Sequence, residues 1–183
     1  MKANIIVMML GSTIAMSGMA NAAENVGTIN FVGSITSQTC DFTGEDENGV
    51  KGSAIDLGTY TAAVVNAGTA RKVPFNLVGT DGSGNICEVV ASKSVDISWV
   101  PANGAWHATG LLNSTGSGKA QNAAVKLMNK DDVAINSVSD TVNYADTDVA
   151  DGKLPFKAQI VKTGADATAG TVVTAAKFSV SYK

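Results

Sequence analysis

Every second residue is apolar over the last stretch of the chain, and this alternation constrains the fold more than any other feature. Phe178, Val180 and Tyr182 share one face of an extended strand, with polar residues on the other face. Similar segments recur between turn residues, and no stretch repeats its apolar residues at the helical spacing. The predicted strands are residues 28–35, 72–78, 94–100, 124–128, 134–138, 154–161 and 171–182. This pattern predicts an antiparallel all-β domain.

The first 22 residues have the features of an export signal. Lys2 supplies a positive charge, a short apolar stretch follows, and Ala20-Asn21-Ala22 fits the small-residue cleavage pattern. The apolar stretch is shorter than the roughly 20 residues that a membrane-spanning helix needs. We therefore predict cleavage after Ala22 and export of the remainder as a single domain.

The two cysteines, Cys40 and Cys87, are an even pair in an exported chain, which predicts one disulfide. Closing a loop of that span stabilises a fold by about 4 kcal/mol in the chain-entropy model. The alternative is a pair of free, buried thiols.

Charge and composition exclude several classes of function. The chain carries 13 basic and 16 acidic residues, and the basic residues are scattered instead of clustered on one face, so nucleic acid is not a predicted partner. His107 is the only histidine, which rules out a multi-histidine metal site, and no serine lies in a G-x-S-x-G motif. We predict no enzyme activity and no cofactor or metal. The acidic stretch at residues 45–49 is predicted to be a surface loop.

Trp99 and Trp106 lie on either side of a polar turn, where two indole rings could stack on a sugar. The alternative is that Trp99 alternates into the core with Val95 and Ile97 while Trp106 covers an edge. The alternation favours the core, and His107 is predicted to be a surface or loop residue.

The stretch that follows the predicted signal is itself strand-like. Gly27, Ile29, Phe31 and Gly33 fall on one face of an extended segment. A sandwich that opens with a spare amphipathic strand and ends on another suggests a fold that lacks one strand and carries a complement for a neighbour. Donor and receiving surfaces differ, so such contacts build open filaments. The alternative is that residues 28–35 are an ordinary first strand of their own domain.

Several motifs together resemble the major subunits of chaperone–usher pili, the type 1 fimbrial family. The resemblance covers nearly all of the chain after the signal. Its elements are the stretch at residues 27–33, Cys40 after that stretch, residues 73–77 leading to Cys87, the Leu-Pro-Phe-Lys-Ala segment at 154–158, Gly170 at the fourteenth position from the C-terminus and Tyr182 at the penultimate position.

The resemblance implies an incomplete immunoglobulin-like sandwich that lacks its last strand and is completed by a strand from another chain. Residues 23–34 correspond to the donor-strand extension and 35–183 to the pilin domain. In the family's terms, Ile29 and Phe31 are the side chains that enter the neighbour's groove, and Gly27 allows close approach. The receiving groove and chaperone-recognition strand correspond to Gly170, Phe178, Val180 and Tyr182.

The implied partners are other pilin copies in head-to-tail order, a periplasmic chaperone and an outer-membrane usher. The implied location is a pilus on the cell surface. The alternative function is that of a minor or adhesive fimbrial subunit that binds a host glycan or receptor.

Overall fold

A computed structural model of the chain describes residues 40–89, 93–102 and 105–183. The strands in these ranges are β1 (Asp41–Asp46), β2 (Lys51–Gly52), β3 (Val73–Thr80), β4 (Ser94–Pro101), β5 (Trp106–His107), β6 (Gly110–Leu112), β7 (Ala123–Asn129), β8 (Ala134–Ile135), β9 (Thr141–Ala145), β10 (Lys153–Lys162) and β11 (Ala176–Tyr182). Helix is limited to α1 (Ala62–Asn66) and a 3-10 turn at Asp146–Asp148. Within the described ranges, no helix has the length and apolar character needed to cross a membrane.

The strands form two antiparallel sheets. The larger has the order β2-β1-β3-β10-β7-β6-β5, with β8 also paired to β7, and the smaller has the order β11-β4-β9. All of their pairings are antiparallel. The all-β prediction is therefore confirmed.

The main core fills the space between the sheets because alternate residues of the central strands point inward. Its residues are Phe75, Leu77, Val95, Ile97, Trp99, Leu111, Val125, Leu127, Ile135, Val142, Tyr144, Leu154, Phe156 and Ala158. Trp99 is 5% exposed and lies edge-on to Phe156, with ring centroids 5.2 Å apart. The core alternative for Trp99 is thus the observed one.

Four predicted strands, at 72–78, 94–100, 124–128 and 154–161, coincide with β3, β4, β7 and β10 to within a few residues. The prediction for 134–138 was too long, because only Ala134–Ile135 pair with β7. The predicted strand at 171–182 begins late, at Ala176, because residues 171–173 bond to the loop at 113–120. The predicted strand at 28–35 lies outside the described residues.

The acidic stretch at residues 45–49 is only partly the surface loop that was predicted. Glu45 belongs to β1 and is 5% exposed, and its Oε1 lies 2.6 Å from the Lys153 ammonium nitrogen. A buried carboxylate is tolerated when a cation and hydrogen bonds offset its desolvation. Residues 47–49 do form an exposed turn, in which Asp46 Oδ1 accepts hydrogen bonds from the main-chain N–H groups of Asn48 and Val50.

Cys40 and Cys87 are joined in a disulfide, with their Cα atoms 6.2 Å apart. The bond ties the start of β1 to the segment that follows β3. The strands β1 and β3 are neighbours in the larger sheet, and they pair from Asp41 opposite Thr80 to Asp46 opposite Phe75. The disulfide therefore fixes the residue at which the described chain enters the sandwich.

Candidate functional site: an apolar groove

An apolar groove of about 1060 Å³ reaches into the space between the two sheets. Its floor consists of core residues from both sheets. They are Phe75, Trp99, Leu111, Val125, Leu127, Ala158 and Ile160. Two extended segments border the floor, and we call residues 53–61 the first flank and residues 167–175 the second flank.

The first flank follows β2 and is outside either sheet. Ile55, Leu57 and Tyr60 are half-buried, whereas the residues between them are exposed. In the described part of the chain, the main chain of residues 54–60 has one hydrogen-bonding partner, the Asp56 carboxylate, which accepts from Gly58 N at 2.9 Å. No described residue pairs with the other N–H and C=O groups of this stretch.

The helix α1 contributes Ala62 and Val65 to the groove lining. Thr61 caps it by accepting a hydrogen bond from Val64 N at 3.4 Å, and Val65 packs into a small second core. Asn66 bonds to Ala167 twice: Asn66 Nδ2 donates to Ala167 O at 3.2 Å, and Ala167 N donates to Asn66 Oδ1 at 2.7 Å. These bonds join the helix that follows the first flank to the start of the second flank.

The second flank is held from outside by the loop at residues 113–121. Asn113 Nδ2 donates to the Thr171 carbonyl at 3.0 Å, and Asn113 Oδ1 accepts from Val173 N at 2.7 Å. Ser114 donates to the Val173 carbonyl through both its main-chain N–H and its hydroxyl, at 3.0 and 2.7 Å. These bonds fix the second flank with its inward side chains facing the groove.

Gly170 lies where the second flank comes closest to this loop. Its φ is +152°, and a Cβ built there would be 2.4 Å from the main-chain nitrogen of Ala120. Only glycine fits without moving one of the two backbones. The close approach to Ala120 is a packing reason for glycine at this position. Gly170 also lines the groove.

The second flank leads into β11, which lies at the edge of the smaller sheet. Along one side β11 pairs with β4 from Ala176 opposite Pro101 to Tyr182 opposite Val95, and no other described strand pairs with its second side. Phe178, Val180 and Tyr182 point inward and are half-buried, while the residues between them are exposed. An unpaired strand edge of this kind is a template for a further strand.

Two contacts fix the inward side chains of β11. The Phe178 ring lies 5.4 Å from that of Trp99, and the Tyr182 ring lies 6.5 Å from that of Phe42. Burial raises the pKa of Tyr182. Of the predicted groove residues, Gly170 lines the groove, whereas Phe178, Val180 and Tyr182 are not part of its lining and point inward along the edge strand beside it.

The end of β11 is anchored by polar contacts. Lys183 exchanges main-chain hydrogen bonds with Ser94 at 2.9 and 3.3 Å, and its ammonium nitrogen lies 2.5 Å from Asp96 Oδ2. Asp96 also accepts a hydrogen bond from Asn143 Nδ2 at 2.6 Å. The hydrogen bond from Asn143, then that from Lys183, hold the pKa of Asp96 below its usual value.

The groove carries little that could perform chemistry. Asp56 and Tyr60 are the ionisable residues in its lining, and the described residues contain no group of three or more His, Cys, Asp or Glu able to hold a metal. His107 lies outside the groove, where its Nδ1 is 2.9 Å from Thr109 Oγ1 and accepts from Thr109 N at 3.2 Å. Trp99 is buried and Trp106 packs against the core, so the two rings do not form an exposed pair.

Sequence reasoning missed the first flank, Asn66 and Asn113. The alternation of Ile55 and Leu57 was the one signal for the first flank. The two asparagines left no signal, because their partners lie 101 and up to 60 residues away along the chain. Gly27, Ile29, Phe31 and Gly33 fall outside the described residues, so their assignment stays a prediction.

A family model for fimbrial proteins matches residues 29–183. The K99 fimbrial protein of Escherichia coli is 34% identical to this chain over 186 residues, which covers 92% of this chain and 96% of the relative. The uncharacterized fimbrial-like protein YbgD of Escherichia coli strain K12 is 28% identical over 174 residues and covers 88% of each chain.

Two solved structures share the fold. The P pilus rod subunit PapA aligns with a TM-score of 0.57 and 16% identity, over 85% of this chain and all of that one. A subunit in the structure of a chaperone–usher pilus aligns with a TM-score of 0.50 and 17% identity, over 87% of this chain and 97% of that one. At such identities the likeness concerns the fold alone.

Proposed function

Because this chain belongs to the fimbrial protein family, as a pilin of chaperone–usher pili, we propose that it polymerises by receiving residues 23–34 of a neighbouring copy in its groove. The family is one of structural proteins, and its members build surface pili. The observation that carries the proposal is the apolar groove lying beside the unpaired edge of β11 and the unpaired main chain of the first flank.

An extended strand suits this groove on two counts. Its main chain finds donors and acceptors on β11 and on the first flank, and its alternate side chains cover the apolar floor. Each Å² of apolar surface that the incoming strand and the groove remove from water favours binding by roughly 25 cal/mol. The occupant therefore completes the fold as well as linking two subunits.

Residues 23–34 supply a matching strand. Ile29 and Phe31 are the side chains that enter the groove, and each stabilises the contact by about 1.5–3 kcal/mol when fully buried. Gly27 and Gly33 share their face and allow the main chain to approach closely. Gly170, Phe178, Val180 and Tyr182 serve the receiving subunit.

The route to the filament follows from these parts. Residues 1–22 direct export and are removed, and the remaining chain folds on a periplasmic chaperone that fills the groove in the meantime. An outer-membrane usher exchanges the chaperone for residues 23–34 of the next subunit. Repetition of this heterologous contact gives an open, head-to-tail filament at the cell surface. The chain is a repeated structural subunit of that filament.

The sharpest test changes the two entering side chains. Full-length chains carrying Ile29→Asp or Phe31→Asp should reach the periplasm in normal amounts but fail to enter sheared surface filaments, because a carboxylate cannot be buried in the apolar groove. Asn30→Asp is the matched control, since it places the same residue between them on the opposite face. Normal filaments from either groove-facing variant would refute the assignment.

A second test asks whether the fold lacks a strand. The domain without residues 23–34 is compared with the same domain carrying that segment after Lys183 through a short flexible linker. The fusion should be monomeric and melt far higher. If truncation unfolds the domain and the appended segment gives no rescue, then residues 28–35 are an ordinary strand of their own domain.

A further inference from the structure

Three buried side-chain polar atoms have no hydrogen-bonding partner among the described residues: Nε1 of Trp99, Nε1 of Trp106 and Oγ1 of Thr174. Buried polar groups in folded proteins are almost always bonded, so each exception needs a physical reason. Trp99 and Thr174 line the groove, and Trp106 does not. Two of the three unbonded atoms thus belong to residues that line the proposed binding site.

Thr174 interrupts an otherwise apolar line. Exposure alternates along the second flank and β11, which places Thr174 on the inward side between Val172 and Ala176. Valine has a methyl group where threonine has its hydroxyl, so it would complete an apolar wall without a buried polar group. The neighbouring Val173 carbonyl is already bonded to Ser114 on the outside of the flank, so it does not satisfy the threonine.

Trp99 presents a comparable case on the floor. Its ring is packed against Phe75, Phe156 and Phe178, none of which has a hydrogen-bond acceptor in its side chain. The indole N–H can only donate, so an oxygen from outside the aromatic cluster has to satisfy it. The groove is the site at which an additional segment of chain would arrive.

We infer that Thr174 and Trp99 are specificity-determining groups that donate hydrogen bonds to oxygen atoms of the entering strand, namely its main-chain carbonyls. This inference rests on the proposed function, because it takes residues 23–34 of a second copy as the occupant. On the groove-facing side of that segment Gly27 and Gly33 carry no side chain, so the main chain is uncovered there. The groove then selects its strand by polar contacts as well as by apolar side chains.

The test compares filaments of the full-length chain carrying Thr174→Val, Thr174→Ser or no change. Filament dissociation is followed in guanidinium, beside the unfolding midpoint of each unpolymerised chain. Thr174→Val should dissociate about three- to tenfold faster, which is what the loss of one net hydrogen bond predicts. Its unpolymerised chain should be as stable as wild type or more so, because an unbonded hydroxyl has been removed.

Two controls make the result specific. Thr174→Ser keeps the hydroxyl and should dissociate within about twofold of wild type, and Trp106→Phe, which removes the unbonded N–H outside the groove, should leave the rate unchanged. Thr174→Val filaments that dissociate at the wild-type rate or more slowly overturn the inference and leave the proposed function standing. Equal acceleration by valine and serine also overturns it, since shape would then be the cause. Filaments formed by a chain that lacks residues 23–34 would overturn both proposals.

Discussion

The second flank, residues 167–175, is bonded along its length to the loop at 113–121, whereas the first flank on the opposite side of the groove has almost no such support. Asn113 and Ser114 together make five hydrogen bonds to the second flank or to Ala120 beside it. Among the described residues, the main chain of residues 54–60 has one hydrogen bond, within the flank itself. One wall of the groove is held by its neighbours, whereas most of the main chain of the other has no protein partner in the described chain. We expect substitutions in the two flanks to differ in the same way.

The largest effect is expected at Gly170. Gly170→Val places a side chain against the Ala120 backbone at a φ that favours glycine, so the free energy of unfolding should fall by about 3 kcal/mol or more. The measurement is urea unfolding of the unpolymerised chain. Gly164→Val is the matched control, because a Cβ at Gly164 meets nothing within 4 Å, and it should change stability by less than about 0.5 kcal/mol. Equal losses at the two glycines would contradict the close approach.

Asn113→Ala should lower the free energy of unfolding by about 2–3 kcal/mol. The change leaves the carbonyl of Thr171 and the N–H of Val173 without their side-chain partner, which is more costly than losing a solvated contact. Chemical denaturation provides the value, and Asn48→Ala in the exposed turn after β1 is the control. If Asn113→Ala had no more effect than Asn48→Ala, the second flank would not be held by this loop.

Leu57→Ala probes the first flank, where Leu57 is half-buried between the two cores. In the unpolymerised chain the loss should be about 1 kcal/mol, since only part of the side chain is removed from water. In filaments the same change should accelerate dissociation, because an occupant buries the remainder. If Leu57→Ala lowers the free energy of unfolding of the unpolymerised chain as much as Asn113→Ala does, the two flanks do not differ in the way described.

The smallest effect concerns the anchor at the end of β11. The pKa of Asp96 is lower in the folded chain than in the unfolded chain. Its contribution to the free energy of unfolding is therefore fully present above the pKa of the unfolded chain, about 3.9, and is lost as the pH falls through the folded pKa. Near neutral pH, the free energy of unfolding of the wild-type chain should exceed that of Asp96→Asn by less than about 1 kcal/mol. That advantage should disappear in acid when the urea midpoints are compared across pH. An advantage that grows as the pH falls would show that the charge is not what stabilises this contact.

The strands that the sequence predicted best are those whose alternation is dictated by burial between two sheets. Phe178, Val180 and Tyr182 alternate with polar residues because one face of β11 is exposed to solvent. The same alternation predicted that Trp99 lies in the core. β1 was missed because its ladder carries charged residues, among them a buried Glu45 whose partner Lys153 is 108 residues away. Period-2 reasoning detects faces of strands, and it cannot detect an ion pair formed between distant strands.

The candidate site divides in the same way. The inward line of β11 was predictable from local spacing, and Gly170 was predicted from the resemblance to the fimbrial family. The first flank was not predicted, because the alternation of Ile55 and Leu57 is its one signal and no described strand pairs with it. The unbonded hydroxyl of Thr174 could not be predicted from composition or periodicity, because it depends on how the folded segments surround it.

The paired hydrogen bonds between Asn66 and Ala167 hold α1 against the start of the second flank, 101 residues further along the chain. A strand that binds between two apolar sheets could shift by two residues and still present the same face. Under the proposed function, a fixed junction of this kind would favour one register over the others, and a single register would give every pair of neighbouring subunits the same spacing.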